Sequence, residues 1–131
     1  MLLGSMNTFP LANKVPSVYI SGPISKPNRK KGRYGKNIVP AMNMWAYLWS
    51  AGFHIYCPHL SYMLSSHLVK EWGDDLSHDE WMEEDLYWLS KCDALIRLPG
   101  ESPGADVEVE YAKQHGIPVF TEISAVQEYF E

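Results

Sequence analysis

The sequence predicts an α/β fold, a mostly parallel sheet of four to five strands covered by helices. Three observations predict it. Short β-branched and aromatic runs alternate with longer helical patterns along the chain. Most of the connections between them are short, which implies right-handed crossovers in a parallel sheet. Between Ala41 and Trp49 a helix is apolar on nearly every face, so it is expected to be covered on both sides, with the sheet as one cover and another subunit as a candidate for the other. At 131 residues and 15.0 kDa the chain suits one compact domain.

Residues 1–16 read as a loose lead-in, with Gly4-Ser5-Met6 resembling an expression remnant and Met6 as the expected natural start. The domain proper is expected over 17–131. Ser17-Val18-Tyr19-Ile20-Ser21 reads as the first strand, stopped by Gly22-Pro23. A loop rich in Pro, Gly, Lys and Arg follows to Lys36. Asn37 is the expected N-cap of the next helix, with Pro40 tolerated in its first turn and Ala51-Gly52 ending it. Phe53 to Cys57 is the second strand. Residues 59–77 carry no decisive pattern. Ser77 and Glu80 then form a capping box, opening a helix that runs to about Cys92. Asp93 to Leu98 is the third strand, and Pro99 to Gly104 a tight loop. A helix is expected from Ala105 to His115 with Gly116 as its stop. Ile117 to Phe120 is the fourth strand, and Ser124 is expected to cap a last short helix.

Composition excludes several classes. Apolar residues make up 46% and charged residues 21%, a globular balance. No apolar run reaches the length of a membrane span. Cys57 and Cys92 are too few for a disulfide framework, which makes a reducing, cytoplasmic setting the default expectation. Net charge is −5, yet every acid lies at or after Glu71, while six of the eleven Lys and Arg residues fall between Lys26 and Lys36. That basic loop suits an anionic ligand, or is simply solvated. No helix-turn-helix, zinc-finger or RNP-type pattern accompanies it, so nucleic acid is not the expected partner.

In a parallel sheet the ligand sits beyond the carboxyl ends of the strands. Two segments lie there, Ser21 to Ile24 and Gly100 to Gly104. The second delivers a helix N-terminus, where free amides near Gly104 to Asp106 could receive an anion and Ser102 adds a hydroxyl. Glu108 lies one turn in and can lean back toward that end. Ordinary helix capping would explain the same residues. Asp85 falls on the apolar stripe of Trp81 and Trp88, a costly place for a carboxylate that is neither paired nor working. Tyr19, in mid-strand, has a hydroxyl that could orient a carboxylate, or is core with a wet tip. The five histidines show no zinc-site spacing, so no metal or other cofactor is expected.

Three segments taken together resemble a known family. They are Tyr19-Ile20-Ser21-Gly22-Pro23-Ile24, Glu84 to Asp93, and Gly104-Ala105-Asp106-Val107-Glu108-Val109-Glu110-Tyr111-Ala112, which are similar in kind and order to the nucleoside 2-deoxyribosyltransferases. The closing Glu128-Tyr129-Phe130 resembles the tail of the deoxynucleoside 5′-monophosphate N-glycosidase branch. The resemblance implies a flavodoxin- or Rossmann-like three-layer sandwich and cleavage of an N-glycosidic bond, by hydrolysis or base exchange. It implies Glu108 as nucleophile, Asp85 working at the base, and Tyr19 positioning Glu108. Ser21, Gly22, Pro23 and Ile24 map to the sugar-phosphate contacts and His59 to a ligand-contacting histidine. Ser102 stands where the monophosphate branch has a phosphate-receiving serine and nucleoside transferases an aspartate, with Gly104 beside it. Pro23 and Ser25 depart from that branch, which has a serine and an arginine there. A nucleoside or nucleotide is the implied ligand, and a homodimer or larger homo-oligomer the implied assembly. A non-catalytic nucleotide- or ADP-ribose-binding module of the same fold is the alternative.

Overall fold

The computed structural model describes residues 15–24 and 37–131. Ser25 and the basic cluster from Lys26 to Lys36 lie outside the described residues, as does most of the lead-in. The elements run β1 (Ser17–Ser21), α1 (Ile38–Ser50), β2 (His54–Tyr56), a 3-10 turn at Pro58–Ser61, α2 (Tyr62–Trp72), α3 (His78–Leu89), β3 (Ala94–Arg97), α4 (Pro103–Gln114), β4 (Val119–Phe120) and α5 (Ile123–Tyr129).

The four strands are all parallel, in the order β2-β1-β3-β4. The chain therefore leaves β1 toward one edge and later returns to build toward the other. Between β1 and β3 the direction of winding reverses, and a crevice opens beyond their carboxyl ends. Strand residues alternate between two cores. Val18, Ile20, Ala94 and Ile96 face α1 and α5, where they meet Ala41, Leu48 and Val126. Tyr19 and Leu95 face the other way, against Leu89 and Ala112 of α3 and α4. This is a three-layer sandwich with apolar residues on both faces of the sheet, so its strands carry near-continuous apolar runs.

Several local expectations are revised. Residues 59–77 contain α2, which ends on Gly73. Asn37 occupies the N-cap position of α1 without a side-chain capping bond. The N-cap of α5 is Glu122, so Ser124 lies inside the helix. The helix expected from Ala105 starts earlier, at Pro103, because Ser102 caps it and proline is well suited to a first helical position. The capping box of α3 is present as expected, with Ser77 and Glu80 exchanging bonds. Helix α1 buries Ala41 and Leu48 but leaves Val39, Met42 and Tyr47 exposed on its outer side. Among the described residues no helix is long and apolar enough to cross a membrane.

Candidate active site

The site is built where the exits of β1 and β3 meet α3 and the N-terminal turns of α4. Residues 19 and 21 lie two apart on β1, so they share one face of the sheet. That face meets α4, and both side chains reach Glu108. The Tyr19 hydroxyl donates to Glu108 Oε2, and Ser21 Oγ donates to Oε1 at 2.7 Å. Glu108 is only 5% exposed and Asp85 only 9%. The two carboxyl groups line one cleft of about 1200 Å³, together with Gly22, Ile24, Ser102 and Gly104.

Electrostatics divides the two acids. Burial raises the pKa of Glu108, while the hydrogen bonds from Tyr19 and Ser21 and the charge of Arg97 pull it back down. Asp85 is pushed up to about 7, by burial first, then by the charges of Glu108 and Glu84. The two hydroxyl donors favour the ionised form of Glu108, while burial and the neighbouring negative charges favour the protonated form of Asp85. Burial, and then the Glu108 and Asp85 charges, drive the Tyr19 hydroxyl far up, so it stays a donor.

The loops at the strand exits are tightly packed. A side chain at Gly22 would place its Cβ 2.8 Å from Leu98 Cβ, so only hydrogen fits where the β1 exit crosses β3. Gly100 has φ +115° and its missing Cβ would sit 2.8 Å from Pro23 Cγ. Arg97 ties the second loop down, donating to the carbonyls of Leu98 and, at 2.9 Å, of Gly100, and lying 3.4 Å from Asp106 Oδ1. Nothing in the sequence singled out Arg97; its role depends on the loop folding back over its own guanidinium.

Two expected features are placed differently. The amides at the start of α4 are not all open: Ala105 N–H donates to Ser102 Oγ at 3.1 Å and Asp106 N–H to the Ser102 carbonyl at 2.9 Å. Ser102 Oγ accepts this capping bond and still has its own proton to donate into the cleft. His59 is 1% exposed and is not among the side chains lining the cleft. Its Nε2 lies 3.0 Å from the Pro23 carbonyl, which can only accept, so Nε2 carries the proton. Burial holds its pKa below the ordinary value, so the ring is neutral at neutral pH, and Cys57 Sγ faces Nδ1 at 3.6 Å. The imidazole thus props the β1 exit loop from beneath. Pro23 reaches the site through that loop rather than as a cleft wall.

Residues 16–121 match the model of a protein family described as a domain of unknown function, DUF4406. The chain belongs to that family. No curated protein matches it at a significant level. The match spans β1 to the end of β4, so all four DUF4406 strands and every acid of the cleft fall within it. Among the described residues of this DUF4406 chain, no group of three or more His, Cys, Asp and Glu side chains is placed to hold a metal ion.

Proposed function

We propose that the cleft cleaves the N-glycosidic bond of a nucleoside or nucleoside 5′-monophosphate, releasing or exchanging the base. The observation that carries this reading is a buried glutamate gripped by two hydroxyl donors in the same cleft as a second carboxyl group whose pKa burial pushes up to about 7. The sequence resemblance to nucleoside 2-deoxyribosyltransferases supports it, and DUF4406 is itself related to proteins of that kind.

In the proposed reaction, a Glu108 oxygen uses its remaining lone pair to attack C1′ as the C1′–N bond breaks. The bonding pair leaves with the base, which takes a proton from Asp85. Charge develops on C1′ as an oxocarbenium-like state, which the Glu108 carboxylate stabilises before it forms the glycosyl ester. Water, or a second base, then attacks C1′, passing its proton to the Asp85 carboxylate as the C1′–oxygen ester bond breaks and its electron pair returns to Glu108. Tyr19 and Ser21 hold the nucleophile's two oxygens in one orientation throughout, which removes rotamer freedom before reaction.

The test is incubation with a panel of nucleosides and their 5′-monophosphates, with chromatography for free base. Base release is expected from at least one. Tight binding with no release from any would favour the non-catalytic module instead.

Ser102 is proposed to donate its hydroxyl to a 5′-phosphate. Aspartate also caps helices well, so Ser102→Asp is expected to preserve α4 while repelling the phosphate. Measured by calorimetry in a Glu108→Gln background, monophosphate affinity is expected to fall about tenfold or more, with nucleoside affinity unchanged. Equal losses for both ligands would remove the phosphate from this position.

The exposed Val39, Met42 and Tyr47 on α1 support a homo-oligomer, in which a second copy would cover them. Sedimentation is expected to return a dimer or larger species; a monomer at micromolar concentration would count against it.

A further inference from the structure

One end of the cleft holds groups that bond cleavage itself does not use. Trp81 lines the cleft, and its indole Nε1 donates to Asp75 Oδ1 at 3.0 Å. Asp75 is held in turn by two other donors, the Ser65 hydroxyl on α2 and the backbone N–H of Leu76 at 2.7 Å. Three donors converging on one carboxylate pin the α2–α3 connection and clamp the indole by its edge. The bond satisfies the indole N–H at the ring edge, as a half-buried tryptophan requires, without using the ring face.

Its place on α3 matters as much. Trp81 is four residues before Asp85, so the two side chains lie one above the other on the same helix face. Met82 also lines the cleft, and its methyl group reaches α4: a Cβ on Gly104 would lie 3.2 Å from Met82 Cε. An apolar slot with one fixed aromatic surface therefore stands beside the acid that protonates the leaving group. Flat heteroaromatic rings stack on such surfaces whatever their ring substituents.

The geometry points to Trp81 as the stacking platform for a planar nucleobase, with Asp75 and Ser65 as positioning residues that lock its ring. The ligand class is a heteroaromatic base, free or as a glycoside. This deepens the glycosidic reading and rests on it for the base being a leaving group. Binding of a free base needs no bond cleavage and can be measured apart.

The experiment titrates adenine, hypoxanthine, cytosine and thymine into the full chain by calorimetry, and follows KM and kcat on whichever nucleoside releases base. The wild type is expected to bind at least one base. Trp81→Leu is expected to weaken that binding by about 5- to 150-fold and to raise KM more than it lowers kcat. Trp81→Phe, which keeps a flat ring, is expected to recover most of the affinity and guards against a merely unfolded leucine variant. For the lock, Asp75→Ala is expected to raise KM, and Asp75→Asn, which still offers an acceptor to the indole, to restore it. Base affinity unaltered in Trp81→Leu, or no binding of any base by the wild type, would overturn the platform. Trp81-dependent base binding without base release from any glycoside would leave the platform standing and remove the glycosidic reading. Release with KM unmoved by Trp81→Leu would do the reverse.

Discussion

Replacing Glu108 with alanine is expected to stop base release while the fold persists. The side chain is the hydrogen-bond acceptor for both Tyr19 and Ser21, and its oxygens are the only protein atoms that bond to C1′ in the proposed reaction. Loss of a nucleophile in enzymes of comparable logic costs roughly three to six orders of magnitude in kcat. Folding responds differently. Glu108 is buried and its pKa is raised, so the ionised form is held in the fold at a cost that the two hydroxyls and Arg97 only partly offset. Removing it leaves Tyr19 and Ser21 with donors to satisfy, so Glu108→Ala is expected to lose about 1–3 kcal/mol per stranded donor at most, less where cleft water replaces the carboxylate. Glu108→Gln keeps an acceptor and is expected to melt close to the wild type. Both variants should be inactive in the chromatographic assay. Unchanged release of free base by either would take Glu108 out of the reaction.

Asp85→Asn is expected to move activity and stability in opposite directions. As general acid, Asp85 must carry its proton, and asparagine has none to give. A loss of about a hundred- to ten-thousandfold in kcat is expected, smaller for substrates whose base leaves readily unprotonated. In the wild type kcat/KM should fall above about pH 7, where Asp85 ionises, and should fall again at acid pH as Glu108 takes up a proton above its ordinary 4.5. The variant should lose the upper limb.

For stability, the folded pKa of Asp85 lies above its unfolded value, so the fold binds the proton more tightly than the unfolded chain does. That contribution is fully present below about 3.8 and is lost as pH rises through about 7. At pH 8 the wild type therefore carries a buried charge that Asp85→Asn lacks, and the variant is expected to be the more stable. The rise from 3.8 to about 7 bounds the gain at roughly 4 kcal/mol, and cleft solvation reduces it. At pH 4 the two should be nearly equal. Denaturant melts at both pH values read this, and a variant that is less stable at pH 8 would show that the carboxylate of Asp85 is not held at a cost.

The layers of the fold were legible because each rests on short-range pattern. Strand alternation with helices, the Ser77–Glu80 box and the stop signals at Gly22-Pro23 and Gly116 act within a few residues of themselves. Glu108 and Asp85 were legible as carboxylates in places where apolar or capping residues would be ordinary. Helix α2 was not, because Met63, Leu64, Val69 and Trp72 stay exposed and no core-facing apolar stripe marks it. Serine is the commoner cap, so the sequence points to Ser124, whereas α5 starts after Glu122 with no side-chain bond to mark it.

From the chain alone came the parallel sandwich, the two strand exits that flank the crevice, and the pairing of Tyr19, Asp85 and Glu108 as candidates. Tertiary structure alone decided that Ser102 spends its acceptor on capping α4, that His59 supports the Pro23 carbonyl from below, and that Arg97 and the Asp75–Trp81 clamp shape the cleft. The reason is that periodicity encodes which face a residue takes. Which partners meet there depends on how the loops close, over a few residues at Ser102, Arg97 and Asp75, and over 36 between Pro23 and His59.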